Sequence, residues 1–119
     1  MKLTLRLLAP LLLVLPLVRS DAANAAPAPR ATAKENWSNH CVDCHGQDGK
    51  SQTRLGRKSG APDLTDKKRQ AKLTDEDAFN GIKFGRKNSK GEEKMDAFGA
   101  DLKDPEIVEL VAFVRAFAK

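Results

Sequence analysis

The sequence is poor in the residues that build a large core and in those that bind metals. Its 119 residues include no tyrosine, one tryptophan, five phenylalanines, two cysteines and two histidines. A domain this small is often marginal unless a staple, a metal or a cofactor adds to its core. The two cysteines are three positions apart, so a disulfide between them would close almost no loop and add little stability. We therefore expect something else to complete the core.

The chain also lacks an apolar run long enough to span a bilayer. Its longest run covers residues 7–18 and contains Pro10 and Pro16, whereas a spanning helix needs roughly 20 residues. A basic start precedes this run, and small residues follow it, with Ala23-Asn24-Ala25 fitting a cleavage pattern. This layout predicts a secretory signal peptide and hence a periplasmic protein. The expected division is a cleaved signal peptide at 1–25, a flexible linker at 26–31 and one domain at 32–119.

The charge does not indicate a nucleic-acid-binding protein. The formal net charge of +5 falls to +3 without the predicted signal peptide, because that segment carries Lys2, Arg6 and Arg19 against Asp21. The remaining basic residues alternate with acids and lack aromatic stacking partners. A mildly basic surface is compatible with an acidic protein partner, and we expect no nucleic acid.

Helical signals predict an all-α, loop-rich fold. A capping box at Thr32 opens a helix that should run through Trp37 to about His45. Thr74 precedes an acidic first turn, and the last helix is predicted to begin with Asp104 as its N-cap and Pro105 at its first helical position. Alternating strand patterns are absent. The remaining predicted segments are a short helix at 66–71, a loop at 46–64 and a charged loop at 86–103.

All cysteines and histidines lie in one stretch, His40-Cys41-Val42-Asp43-Cys44-His45. A structural zinc site needs four ligands, usually two distant pairs, and the chain has no second pair. A thioredoxin-like dithiol belongs at a helix start within a βαβ pattern, which is missing here. The spacing alone still allows dithiol chemistry, and a plain structural cysteine pair also stays open.

The spacing Cys-x-x-Cys-His is the signature of covalent haem attachment. Cysteines three apart share one helix face, where each thiol can add to one vinyl group of a porphyrin. His45 then projects beneath the ring towards the iron. The pattern favours one haem c, attached through Cys41 and Cys44, and this cofactor also explains the thin core.

The second axial ligand has few candidates. His40 is too close to the attachment face to reach the far side of a haem. Met1 belongs to the predicted signal peptide, which leaves Met95 as the one methionine of the mature chain. Its alternative role is that of a gap-filling core residue, but the flanking Lys94 and Asp96 make a core position awkward. We expect His45 and Met95 to bind the iron, an arrangement that raises the reduction potential and favours one-electron transfer.

Together these residues resemble the class I cytochromes c over roughly 32–119. The segments "CHGQDGKSQT", "APDLTD", "KMDAFG" and "IVELVAFVRAF" are similar to the loops and last helix of that family. The resemblance implies a small cytochrome c fold of about three to five helices wrapped around one covalently bound haem. It also implies that the Pro62 carbonyl accepts the Nδ1 proton of His45, that Leu64 packs against the haem, and that the last helix crosses the first, placing Phe113 near Trp37.

Three positions depart from the family pattern. Ala33 stands where the two crossing helices usually have glycine, and Ser51 replaces a glycine common in the loop after the haem histidine. Asp96 follows Met95 where proline is common, which removes a rigid φ. We expect a somewhat looser Met95 and, with Asp96 ionised near the haem, a lower reduction potential.

The expected function is a monomeric periplasmic electron carrier, not an enzyme. Its partners would be a quinol–cytochrome c reductase, a terminal oxidase or a periplasmic dehydrogenase. A shallow basic rim around the haem edge would speed encounter with an acidic partner; the candidates are Lys50, Arg54, Arg57, Lys58, Lys87, Lys90 and Lys94. The alternatives are a subunit docked on one oxidoreductase, a haem sensor or enzyme with a displaceable Met95, and an exported dithiol protein without haem.

Overall fold

The computed structural model describes residues 31–118. The predicted signal peptide at 1–25, and the predicted linker apart from Ala31, lie outside the described residues. Within the described part the chain forms six α-helices, one two-stranded sheet and a final 3-10 turn. In chain order these are α1 (Ala33–His40), α2 (Val42–His45), α3 (Arg54–Ser59), α4 (Lys67–Lys72), α5 (Asp75–Phe84), β1 (Arg86–Lys87), β2 (Glu93–Met95), α6 (Asp104–Arg115) and the 3-10 turn (Ala116–Ala118). The predicted all-α class is confirmed.

Local capping rules account for where the main helices begin. The Thr32 hydroxyl accepts the Glu35 N–H at 3.2 Å, and the Glu35 carboxylate accepts the Thr32 N–H at 2.7 Å. These two bonds form the predicted capping box of α1. Thr74 likewise accepts the Asp77 N–H at 3.0 Å and starts α5. At α6 the N-cap is Lys103 and not the predicted Asp104, which is the first helical residue.

Two segments predicted as loops contain regular structure. Residues 46–64 include α3. This helix, and the break at Cys41 that divides the predicted first helix into α1 and α2, raise the number of helices above the expected three to five. Residues 86–103 include the antiparallel pair β1–β2, in which Arg86 lies opposite Met95. These strands are almost entirely exposed, so no alternation of apolar residues reveals them in the sequence.

The core is centred on the contact between α1 and α6. Trp37, Ile107 and Leu110 are its largest fully buried side chains. The Trp37 ring centroid lies 5.6 Å from that of Phe113 and 4.9 Å from that of Phe117. The predicted proximity of the last helix to the first, with Phe113 beside Trp37, is therefore confirmed.

A buried polar network joins α4 to α6. The Gln70 side-chain amide donates to the Leu64 carbonyl at 2.9 Å and to the Val114 carbonyl at 3.0 Å. The Arg115 guanidinium donates in turn to the Gln70 carbonyl at 2.6 Å and to its side-chain oxygen at 2.9 Å. Buried polar atoms left without such partners are costly, so this network fixes the segment that carries Leu64. Across residues 31–118, no helix has both the length and the apolar character needed to cross a membrane.

Candidate functional site

The two cysteines and His45 lie on a single turn of helix. Cys41 marks the break between α1 and α2, and its carbonyl accepts the N–H groups of Cys44 at 3.2 Å and His45 at 2.8 Å. Gly46 ends the turn with a φ of 75°, a conformation that favours glycine. Both thiols are free, with Cys41 buried and Cys44 half-buried. The turn therefore presents two unbonded sulfurs and an imidazole within five residues.

The environment of the two thiols does not favour a dithiol catalyst. Burial raises the pKa of Cys41 to about 12, with a smaller contribution from neighbouring Cys44. Burial also raises the pKa of Cys44, and the charges of Asp96 and Asp43 raise it further. Redox-active cysteines have a lowered pKa because the thiolate is the nucleophile. Among residues 31–118, no group of three or more His, Cys, Asp or Glu side chains is arranged to hold a metal ion.

His45 lies on the core side of the turn with one ring nitrogen engaged. Its ring centroid is 5.8 Å from that of Trp37, and burial lowers its pKa. Its Nδ1 lies 3.2 Å from the Ser51 hydroxyl oxygen, and that hydroxyl lies 2.6 Å from the Pro62 carbonyl oxygen. The predicted direct bond from His45 to Pro62 is thus replaced by a connection through Ser51, because the serine side chain occupies the space between them.

Ser51 has an unusual backbone for a residue with a side chain. Its φ of 57° is the only positive value at a non-glycine residue in the described part of the chain. That conformation costs roughly 1–2 kcal/mol for an L-residue with a Cβ. Ser51 is also 5% exposed, and its N–H donates to the His45 carbonyl at 2.9 Å. The departure from glycine marked this position in the sequence, but nothing there indicated the contact with His45.

Thr53 and Gly56 attach α3 to the helix turn of Cys41–His45, which we call the cysteine turn. The sequence did not identify either residue as a site residue. The Thr53 hydroxyl lies 2.7 Å from the Asp43 carbonyl and 3.0 Å from the Cys44 carbonyl, and it accepts the Gly56 N–H at 2.8 Å. A Cβ on Gly56 would lie 2.2 Å from the Cys44 carbonyl oxygen. A threonine three residues before a glycine is too common a pattern to predict this arrangement.

Met95 ends strand β2 in a loop that is fastened at both sides. It pairs with Arg86 across the sheet, and a Cβ on Gly85 would lie 2.6 Å from the Met95 carbonyl oxygen. Beyond it, the Phe98 N–H donates to the Ile82 carbonyl at 2.9 Å. The Met95 side chain is half-buried and packs against the hydrophobic core. The loop is therefore held to the end of α5 and β1.

The loop that contains Met95, Asp96 and Phe98 lies beside the cysteine turn. The Asp96 carboxylate is near enough to Cys44 for its charge to raise the pKa of that thiol. The Phe98 ring lies edge-on to the His40 ring, with centroids 5.6 Å apart. Leu64 is buried in the same core cluster as Cys41, against which Met95 packs. The loop that carries Met95 thus adjoins the helix turn of Cys41 and Cys44, and His40 contributes a contact to that loop.

Comparison with known proteins places these features in a family. The family model for "cytochrome c oxidase, cbb3-type, subunit III" matches residues 28–114. The solved structure of the KustC0563 c-type cytochrome is similar, with 35% sequence identity and a TM-score of 0.67, covering 75% of this chain and 100% of that one. A tyrosine-to-phenylalanine mutant of the same cytochrome has 34% identity and a TM-score of 0.65, covering 73% of this chain and 99% of that one. The search of curated proteins finds no match.

Proposed function

Because this chain is a small c-type cytochrome domain that belongs to the family described as cytochrome c oxidase, cbb3-type, subunit III, we propose that it is a periplasmic one-electron carrier. Electron transfer through haem c follows from the family. The identity of the attachment and axial residues is our own assignment. Cys41 and Cys44 would hold one haem through thioether bonds, and His45 and Met95 would bind its iron.

The observation that carries this assignment is the His45 ring beside two free thiols with its Nδ1 already engaged. The Ser51 hydroxyl oxygen lies 3.2 Å from Nδ1, within hydrogen-bond distance, which leaves Nε2 as the ring nitrogen that can bind a metal. Cys41 and Cys44 are unbonded and one helical turn apart. The donor set of two thiols and one imidazole fits a haem c and does not complete a tetrahedral zinc site.

Met95 supports the second axial position. It is the one methionine outside the predicted signal peptide, and its loop is fastened by contacts of Gly85 and Phe98. A half-buried thioether is a suitable soft ligand. The alternative of a gap-filling core residue predicts no spectroscopic consequence when Met95 is replaced, which separates the two roles.

The chemistry that a haem c supplies when bound is reversible one-electron oxidation and reduction of iron. The residues of this chain would determine which reactions the iron can take part in. With both His45 and Met95 bound to the iron, no coordination position would remain open for oxygen or peroxide, so we propose a carrier and not an enzyme. Leu64, which is buried, and Met95, which is half-buried against the core, would limit the access of water to the haem.

The family and the surface charge support a proposal for the location and the partners. Cytochromes c of this family are typically extracytoplasmic, and a signal peptide at 1–25 would export this one to the periplasm. All seven residues of the proposed basic rim are exposed: Lys50, Arg54, Arg57, Lys58, Lys87, Lys90 and Lys94. Such a rim would steer an acidic partner at low salt. We propose a quinol–cytochrome c reductase, a terminal oxidase or a periplasmic dehydrogenase as partners of a monomeric carrier.

The description of the matched family favours a second candidate, a subunit docked on one oxidoreductase. Purification at native abundance separates the two. A carrier should elute alone at the mass of a monomer, whereas a docked subunit should co-purify with a stoichiometric partner. An association with the partner that moderate salt alone disrupts would indicate a transient electrostatic encounter. Salt has this effect because the Debye length shrinks from about 30 Å at 0.01 M to about 10 Å at 0.1 M.

The test of haem attachment is an absorption spectrum of the purified protein from cells competent in cytochrome c maturation. We expect a coloured protein, and we expect the haem to remain with the polypeptide on a denaturing gel. Cys41→Ala with Cys44→Ala should remove the covalent haem, whereas Ser89→Ala, an exposed change in the hairpin turn, should retain it. A colourless wild-type protein would reject the proposal and restore the dithiol alternative.

A further inference from the structure

We propose that Ser51 is a positioning residue for His45: its hydroxyl accepts a hydrogen bond from Nδ1–H and passes the interaction on to the Pro62 carbonyl. This inference rests on the proposed function, because it assigns His45 as the haem histidine. It adds a residue that the family resemblance identified only as a departure from glycine.

The two distances fix the direction of each hydrogen bond. The Ser51 hydroxyl carries one proton, and its oxygen lies 2.6 Å from the Pro62 carbonyl oxygen, which can only accept. The hydroxyl proton therefore points to Pro62. The 3.2 Å contact between the Ser51 oxygen and His45 Nδ1 must then use a proton on Nδ1. The ring tautomer follows, with the lone pair on Nε2.

Backbone hydrogen bonds and close packing hold the Ser51 hydroxyl in place. The Ser51 N–H donates to the carbonyl of His45 itself at 2.9 Å, so the serine and the histidine are joined through both backbone and side chain. A Cβ on Gly56 would lie 2.6 Å from the Ser51 carbonyl oxygen, which shows how closely α3 covers the loop. The segment that carries Pro62 is held by the Leu64 N–H, which donates to the Gly49 carbonyl at 2.8 Å.

The side chain at this position works against the backbone. A φ of 57° favours glycine, yet the buried residue here is serine. Glycine would adopt this conformation without strain but would leave Nδ1 and the Pro62 carbonyl without the hydroxyl that joins them. The hydrogen bonds of the hydroxyl to His45 and Pro62 therefore explain why a serine occupies a position with a left-handed backbone.

The role has a measurable consequence for the ligand. A hydrogen bond from Nδ1–H fixes the ring orientation and raises the basicity of the ligating nitrogen. A more basic nitrogen favours the oxidised iron, so removal of the acceptor should raise the reduction potential. Donation to Pro62 also polarises the hydroxyl and strengthens it as an acceptor.

The experiment compares haem-loaded wild type with Ser51→Ala, Ser51→Gly and the exposed control Ser89→Ala. Ser51→Ala keeps the Cβ and its backbone cost and removes only the hydroxyl, whereas Ser51→Gly also relieves the left-handed φ. Nitrogen-15 NMR of the reduced protein measures the chemical shift and solvent exchange of the His45 Nδ1 proton. Voltammetry measures the potential.

We expect the Nδ1 proton of Ser51→Ala to exchange at least tenfold faster than in wild type, with a changed chemical shift and a higher potential. Ser51→Gly should also show a changed Nδ1 shift, because a direct bond to Pro62 or to water differs from one to a hydroxyl. Ser89→Ala should match wild type. Should Ser51→Ala fail to fold, the Nδ1 shift of Ser51→Gly decides.

An Nδ1 shift and exchange rate equal to wild type in the folded Ser51 variants would overturn this inference and leave the proposed haem function intact. Absence of haem from the wild-type protein, seen first in its absorption spectrum, would overturn both. The two failures are therefore distinguishable.

Discussion

The indole N–H of Trp37 donates to the carbonyl oxygen of Gly46 at 3.2 Å across the inside of the cysteine turn. This buried bond joins the core helix α1 to the residue that follows His45. The same ring contacts His45, Phe113 and Phe117. One side chain thus connects the helix crossing to the candidate site.

Trp37→Phe should keep most of the aromatic packing and lose the indole donor. We expect a fall of about 1–3 kcal/mol in the free energy of unfolding, because the Gly46 carbonyl loses its buried partner. Denaturant unfolding of the haem-loaded protein measures this, with Phe84→Leu as an exposed aromatic control. A Trp37→Phe value within 0.5 kcal/mol of wild type, on the order of an ordinary surface change, would show that the bond contributes nothing.

Gly56→Ala should disturb the attachment of α3 to the cysteine turn. The new Cβ would lie 2.2 Å from the Cys44 carbonyl oxygen, so the helix must move away. Overpacking of this kind costs about 1–3 kcal/mol, occasionally more, and we expect lower haem incorporation as well as lower stability.

Gly60→Ala is the matched control for Gly56→Ala. Gly60 has a φ of 74° and open space around its Cβ direction, so its substitution tests backbone strain without a clash. We expect it to cost about 1–2 kcal/mol and to leave haem incorporation unchanged. Equal haem yields from the two variants would contradict the close contact at Gly56.

The capping box at the start of α1 should give a pH-dependent contribution to stability. Hydrogen bonds from the backbone and side chain of Thr32 hold the pKa of Glu35 below its usual range. A lowered folded-state pKa means that the stabilisation is present above the unfolded pKa of about 4.3 and is lost as pH falls through the folded value.

Glu35→Gln should remove this dependence while retaining a side chain that suits the box. We expect wild type to be the more stable protein at pH 7 and the difference to shrink below about pH 4.3. Unfolding curves at pH 7 and pH 3 measure it, with Glu109→Gln as an exposed control on α6. A difference that stays constant between those pH values would exclude the carboxylate as its source.

Asp96→Asn should raise the reduction potential. The Asp96 charge already acts on Cys44, and a negative charge near the haem stabilises the more positive, oxidised iron. Because the residue is exposed, we expect a rise of no more than about 60 mV, a tenfold change in the one-electron equilibrium constant. Voltammetry at low and high salt should show the larger shift at low salt. A shift to lower potential would contradict the sign of this argument.

The sequence predicted the features that depend on local rules. The starts of α1 and α5 follow from Thr32 and Thr74, whose hydroxyls accept backbone N–H groups within their own first turns. Helix α3 escaped prediction although Thr53 caps its first turn, because the segment has few apolar residues and the rest of its support is tertiary. Gly56 fits against the Cys44 carbonyl, and Thr53 bonds to the turn ten residues earlier in the chain.

The candidate site divides along the same line. The spacing of Cys41, Cys44 and His45 is chemistry within one helical turn, and it is visible in the sequence. The connection of His45 to Pro62 through Ser51 depends on a loop that closes in three dimensions. The family resemblance marked that loop and the unexpected serine in it, but no rule of spacing supplied the contact.

The central claim is that His45 and Met95 together bind the iron of a covalently held haem. The most direct measurement is the absorption spectrum of the oxidised protein for wild type and Met95→Ala, with Phe98→Leu as a control in the same loop. We predict a low-spin wild type with the weak sulfur-to-iron charge-transfer band. In Met95→Ala that band should be lost and the spectrum should shift to high spin, while Phe98→Leu should keep the band. A low-spin spectrum that is unchanged in Met95→Ala would contradict the account and require a different sixth ligand.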